Sequence, residues 1–288
     1  GRSDRLTRLL GQMSEEQIAG NPWLALAAAW GSLQRGDVDG RDRWTVHAEA
    51  HAGRGWRERV RTDSYAASLA VLLAMVGRDG VAATAQLCED ALVGLAPDDP
   101  FRCPASFLLA VSRTIQEQPG AVELLVEGRR LARALSVAVN AADTLAFEGM
   151  LTLMRGDVAA GLALIDEAAA VVAEHQADRL ATAAHPLSAY ALSLAIQGRR
   201  AEGARVLAQA RRLTHQLQGL VPWFQVLARL VQGRAALLLG DVPLARELAS
   251  EARQALTPDL AATTLSGSLA ELEEMLRRAA GSAGGGGR

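Results

Sequence analysis

Lysine is missing from this 288-residue chain: all 30 of its basic residues are arginine. A Walker-A phosphate loop needs a lysine on the β- and γ-phosphates, so that loop is excluded. Schiff-base chemistry and lysine general bases go with it. Cysteine is nearly missing too. Cys88 and Cys103 show no C-x-x-C or zinc spacing, and both stand among apolar or small residues. They read as buried free thiols of a reducing cytoplasm. No apolar run reaches the roughly 18 residues of a membrane span, and no secretory signal pattern opens the chain. A cytoplasmic protein with no membrane contact is expected. The net charge of −2 lacks the basic excess of a general nucleic-acid binder.

What is present is half hydrophobic and 22% charged, an ordinary globular balance. The sequence opens on Gly1-Arg2 and ends Gly284-Gly285-Gly286-Gly287-Arg288. That ending reads as a flexible Gly-rich linker over 281–288, behind one domain over 1–280, in a piece of a longer protein.

Turn signals recur along the domain: Arg35-Gly36-Asp37, Gly77-Arg78-Asp79, Gln118-Pro119-Gly120, Arg155-Gly156-Asp157, Gly198-Arg199 and Gly240-Asp241. The step is about 40 residues, within the range of helical-pair repeats. Between turns, apolar residues fall at i, i+3, i+4 and i+7, and strand-type alternation is missing. The expectation is an all-α, TPR-like right-handed superhelix of about six helix-turn-helix hairpins. The hairpins fall at 22–52, 60–95, 103–136, 140–175, 179–217 and 221–256. A helix at 3–12 precedes them, and an amphipathic helix at 259–280 caps the stack. Asn21-Pro22, His185-Pro186 and Val221-Pro222 read as helix starts.

Register supports the repeat. Seven residues before Gly36, Gly156, Gly198 and Gly240 stand Ala29, Gly149, Ala191 and Gly233; twelve after stand Ala48, Ala168, Ala210 and Ala252. Five after stand Gly161, Gly203 and Ala245, with Arg41 the exception. Small residues at fixed places mark where helices approach closely. The second and third repeats degenerate: Gly77 keeps Ala70 and Ala82, Ala91 fits only after a two-residue slip, and Pro119 keeps Ser112 alone. Irregular packing is expected over 95–120, where Pro97, Asp98, Asp99 and Pro100 intervene.

The spacing of small residues around each turn resembles the tetratricopeptide (TPR) pattern with a longer step. The opening residues Asn21-Pro22-Trp23-Leu24-Ala25-Leu26-Ala27-Ala28-Ala29-Trp30, then Leu33, Gly36-Asp37, Trp44 and Ala48-Glu49, are similar to the first repeat of the sensor region in MalT-like, ATP-dependent regulators of the LuxR class. The resemblance implies an N-terminal module that hydrolyses ATP, this superhelix, and a C-terminal helix-turn-helix that binds DNA. Neither flanking module lies in this sequence. ATP and DNA would reach the protein only through them, and the superhelix itself would take no cofactor.

In TPR-like arrays the first helix of each pair lines the concave surface. Mapped through the turns, the inward polar positions are Ser64, Ser106, Arg113, Gln116, Asp143, His185, Ser188 and Arg234. The walls are mostly apolar, among them Trp23, Leu26, Trp30, Leu109, Leu192, Leu227 and Leu230. Such a groove suits a small-molecule effector or a protein segment. Arg113 and Arg234 would anchor a carboxylate or phosphate. Some of these side chains, on the plainer reading, lie buried between hairpins.

Other features have plain readings beside functional ones. His47 and His51 have i, i+4 metal spacing but no third ligand. Asp98 and Asp99 lie between prolines, where aspartate caps turns. His175, His185 and His215 stand near helix ends and read as caps or surface groups. Arg199, Arg200, Arg205, Arg211 and Arg212 form either a solvated helix face or a basic patch without aromatics for stacking. Trp23, Trp30, Trp44 and Trp56 pack the first hairpin or face a neighbouring module. No catalytic constellation can be named, although one dispersed in sequence stays open. A TPR-type adaptor that binds a peptide is the alternative to the regulator, and an array cut from its neighbours can self-associate.

Overall fold

A computed structural model describes residues 8–77, 79–135, 137–217 and 222–284. After a short helix α1 (Glu15–Ala19), twelve helices pair into six hairpins. They are α2 (Pro22–Arg35) with α3 (Val38–Ala52), α4 (Ser64–Val76) with α5 (Gly80–Gly94), and α6 (Arg102–Ile115) with α7 (Ala121–Ala134). Then come α8 (Ala138–Met154) with α9 (Val158–Glu174), α10 (Ala184–Ile196) with α11 (Arg200–Gln216), and α12 (Pro222–Leu239) with α13 (Val242–Ala255). A single turn α14 (Pro258–Ala261) leads to the last helix α15 (Thr264–Gly284). No strand occurs among the described residues. This is the TPR-like superhelix of six hairpins.

The turns form where the register put them. Gly36, Gly77, Gly156, Gly198 and Gly240 all have φ between +64° and +90°, a conformation that glycine alone adopts cheaply. Asp37, Asp157 and Asp241 then cap the second helix, each accepting the N–H three residues on. Asn21 does the same for α2, accepting from Trp23 and Leu24 ahead of Pro22. Ala48, Ala168, Ala210 and Ala252 are fully buried. A Cβ on Gly149 would lie 2.7 Å from Ile165 Cγ1 and 2.9 Å from the Gly161 carbonyl oxygen. In the fourth hairpin the small residues thus stand where the two helices touch backbone to backbone, whereas Gly203 and Gly233 make room for Leu239 and Leu272 of neighbouring helices. In the first hairpin the glycine stands one residue earlier, where Gly40 lies against the Asp37 carboxylate and Ser32 Oγ. Arg41, the exception in the pattern, is buried beside it.

Three boundaries differ from the sequence reading. Helix α10 begins at Ala184, so His185 lies inside its first turn and does not cap it. Residues 95–120 are irregular only at 95–101 and 116–120, because α6 between them is a regular and deeply buried helix. The last helix extends to Gly284, four residues into the segment read as a linker; residues 285–288 lie outside the described residues. So do residues 3–7 of the helix expected over 3–12, and Val221.

The superhelix winds far enough to close on itself. A Cβ on Gly36, at the first turn, would lie 2.5 Å from the Gln216 carbonyl oxygen at the end of α11. The Val81 N–H donates to Asp259 Oδ2 at 3.1 Å, and Thr264 Oγ1 donates to the Ile115 carbonyl at 3.3 Å. Ion pairs stitch neighbouring elements together, including Arg61–Asp90, Arg129–Glu148, Arg133–Glu167 and Arg211–Glu247. Arginine supplies every such cation, and its planar fork suits these carboxylates.

Candidate functional site

Closure turns the inner side of the array into a chamber. Leu33, Met75, Phe107, Asp143, Thr182, Leu217 and Phe224 line a cavity of about 30 Å³ there. These residues come from both ends of the array, so the chamber exists only while the superhelix is closed. Small-molecule sites run to roughly 300–1,000 Å³, whereas a space this size suits about one water. An organic ligand enters only if the chamber expands.

The chamber holds a buried polar pair. Asp143 sits in the first half of α8 and His185 at the start of neighbouring α10. His185 is 1% exposed, and its Nδ1 lies 3.5 Å from Asp143 Oδ1. Asp143 Oδ1 and both ring nitrogens of His185 have no hydrogen-bond partner, and neither does Thr182 Oγ1. Burial pushes the Asp143 carboxyl above the ordinary carboxylate range, while His185 pulls it partly back. Three phenylalanines surround the imidazole: Phe107, Phe147 and Phe224, with ring centroids 5.8, 5.9 and 5.7 Å away. Each unsatisfied buried polar atom costs about 1–3 kcal/mol, and buried orphans in native folds need a reason.

The other six mapped residues are dispersed. Ser188 follows His185 by less than a turn, but it is fully buried and accepts from Gln232 Nε2 at 2.9 Å, which also donates to Thr214 Oγ1. That network ties α10, α11 and α12 together. Ser106 is buried toward its own hairpin, with its Cβ facing Gly128. Ser64 is exposed at the first turn of α4. Gln116 donates back to the Ser112 carbonyl. Arg113 is bound to Glu89 at 2.8 Å, and Arg234 to Glu271 at 2.7 Å. Neither arginine reaches the chamber.

The sequence reading missed the three phenylalanines and Thr182. A signal existed: the chain has four phenylalanines in all, and three converge on one histidine. The reading of His185 as a cap or surface group is corrected by its burial. His51 Nε2 contacts the Ala19 carbonyl at 2.6 Å, while His47 lies against Trp44. Asp99 accepts from the Phe101 N–H. Cys88 and Cys103 are free and buried, and burial pushes both thiols up. Among the tryptophans, Trp44, Trp56 and Trp223 are buried, and Trp23 is exposed against Tyr65. Among the described residues no helix is long and apolar enough to cross a membrane.

No protein-family model matches this chain, and no curated protein matches it in sequence. Among solved structures it is similar to a Rap protein complexed with competence and sporulation factor, at 13% identity and a TM-score of 0.49. The match covers 96% of this chain and 80% of that one. A likeness at this level bears on neither ligand nor partner, and the fold rests on the hairpins themselves.

Proposed function

We propose that this chain is the sensor and interaction region of a multidomain, cytoplasmic transcriptional regulator of the MalT-like, LuxR class, non-catalytic by itself. The observation that carries the sensor reading is the Asp143–His185 pair. Asp143 Oδ1 and both ring nitrogens of His185 lie outside any hydrogen bond, inside a superhelix that closes around them. A small-molecule effector that supplies those hydrogen bonds would favour an expanded form, and differential affinity of this kind is what shifts a population between two states. The regulator context rests on the opening repeat, Asn21 to Trp30 with Trp44 and Ala48-Glu49. ATP hydrolysis and DNA binding would belong to other modules of the full chain.

Two measurements test this. The mass of the endogenous chain containing this segment should be about three times larger, since each further domain adds about 100–200 residues. A native chain without a helix-turn-helix would sink the regulator assignment. A small-molecule screen by thermal shift should return ligands whose effect disappears in Asp143→Asn and His185→Phe; hits indifferent to both would remove the chamber from the reading.

The alternative, a TPR-type adaptor for a protein segment, is supported by a different observation. Large apolar side chains stay exposed along one side of the last three hairpins.

A further inference from the structure

Four neighbouring helices each present a large apolar side chain at the same level. Met154 is 68% exposed, Ile196 40% and Leu238 43%. Each stands two residues before the turn glycine of its hairpin, namely Gly156, Gly198 and Gly240. On α15 the place is taken by Met275, 37% exposed. The Arg234–Glu271 ion pair sets α12 and α15 level, and Leu238 and Met275 each follow four residues later. Helix α8 packs on α10, α10 on α12, and α12 on α15, so the four side chains form one row. Packed helices lie about 8–10 Å apart, which sets the step. Single exposed apolar residues need no explanation. Four in one register on consecutive helices do.

The charges beside the row are cationic where they are free. Arg155 and Arg200 are exposed at the turns, without an ion-pair partner among the described residues. Among the nearby carboxylates, Glu202 holds Arg199, whereas Asp157 and Asp241 cap helices and keep their negative charge. Arg234 lies one turn back from Leu238, with its Nε buried and unpartnered. Arg234 is itself 27% exposed, whereas its partner Glu271 is a mostly exposed side chain that can swing away from it. An incoming carboxylate can displace it.

We propose that this row is the docking site for an amphipathic α-helix of a partner protein, acidic along one flank. One apolar residue every seven positions advances about 10.5 Å, close to the spacing of the row. A carboxylate of that helix takes Arg234. The two methionines let the surface adapt to the side chains it receives. This inference rests on the interaction half of the function proposed above and not on the chamber.

The test uses the 288-residue chain and a fluorescein-labelled helical peptide with leucine at every seventh position and glutamate four residues before the last leucine. Saturable anisotropy is expected. Ile196→Glu and Leu238→Glu, both at exposed positions, should weaken binding at least tenfold with unchanged circular dichroism. Arg234→Glu should transfer preference to a peptide carrying lysine in place of that glutamate. The proposal is overturned if the acidic peptide does not bind, if Ile196→Glu binds as well as wild type, or if the lysine peptide binds wild type equally. It is also overturned if sedimentation shows a dimer that Ile196→Glu splits, because a second copy would then occupy the row. Peptide binding is read without any small molecule and the sensor reading from small-molecule thermal shifts, so failure here and failure of the sensor reading are separate results.

Discussion

The Asp259 carboxylate caps helix α5 from 178 residues away, accepting the Val81 N–H at 3.1 Å. Asp79, which precedes that helix in the chain, makes no side-chain cap bond to it. The first turn of α5 therefore depends on the segment that follows the sixth hairpin. Asp259→Ala removes the bond and should cost about 1 kcal/mol, as for other lost N-caps. Hydrogen exchange should speed up both at the start of α5 and around α14. Faster exchange at α14 alone would show that the contact does not hold the closure.

The chamber should make stability depend on pH. The folded-state pKa of Asp143 is raised above its ordinary 3.8, chiefly by burial. Between the unfolded and folded values the folded state holds a proton that the unfolded state has lost. Stability is then fully present below the unfolded value and falls as pH rises through the folded value. Asp143→Asn keeps the shape and removes the titration. Its melting temperature should exceed that of wild type by a margin that grows as pH rises above the ordinary carboxylate value. His185 is the ionisable group in direct contact with Asp143, so the comparison should be repeated in His185→Phe. A margin that shrinks with pH would reverse the assignment.

The close contact inside the fourth hairpin should be intolerant of a single methyl group. Gly149→Ala drives its Cβ against Ile165 and the Gly161 backbone, and overpacking of this kind costs about 1–3 kcal/mol. Gly156→Ala is the control. It adds a Cβ in open space at φ +90°, so strain alone acts, of order 1–3 kcal/mol. Thermal unfolding measures both. Loosened packing between α8 and α9, read by exchange at Ile165, should appear for Gly149→Ala only.

Arginine cannot be replaced by lysine everywhere. Arg229 is nearly buried; its Nε binds Glu251 at 2.8 Å and its Nη1 binds Gln225 Oε1 at 2.6 Å. A lysine ammonium cannot reproduce that fork. Arg229→Lys should destabilise the protein by about 1–3 kcal/mol, the range for losing a buried charged hydrogen bond. Arg212→Lys, at an exposed site on α11, should lie within about 0.5 kcal/mol of wild type. Equal effects in chemical denaturation would refute the distinction.

Much of the fold was legible because one glycine per hairpin needs a left-handed backbone, and the residues around it need close contact. Counting from those glycines finds the six hairpins. It also puts Asp143 and His185 thirteen residues before Gly156 and Gly198, at one depth on neighbouring helices, where the structure brings them together. The same counting misled at Arg113, Ser106 and Ser188. Register gives depth along a helix, but the face a side chain takes depends on which neighbour it meets. Glu89, Gly128 and Gln232 are those neighbours, and all lie on other helices. The closure was not legible at all. Gly36 against Gln216 and Val81 against Asp259 join residues whose local sequences carry no sign of each other.

Those contacts change how the array should respond to loss of a part. In an open solenoid each repeat answers only to its neighbours, and stability is close to a sum of local terms. Here the second hairpin borrows a helix cap from a residue near the C-terminal end, and the first turn rests on the fifth hairpin. Shortening the chain from that end should loosen hairpins far from the cut, so melting should approach a single concerted transition in place of stepwise fraying.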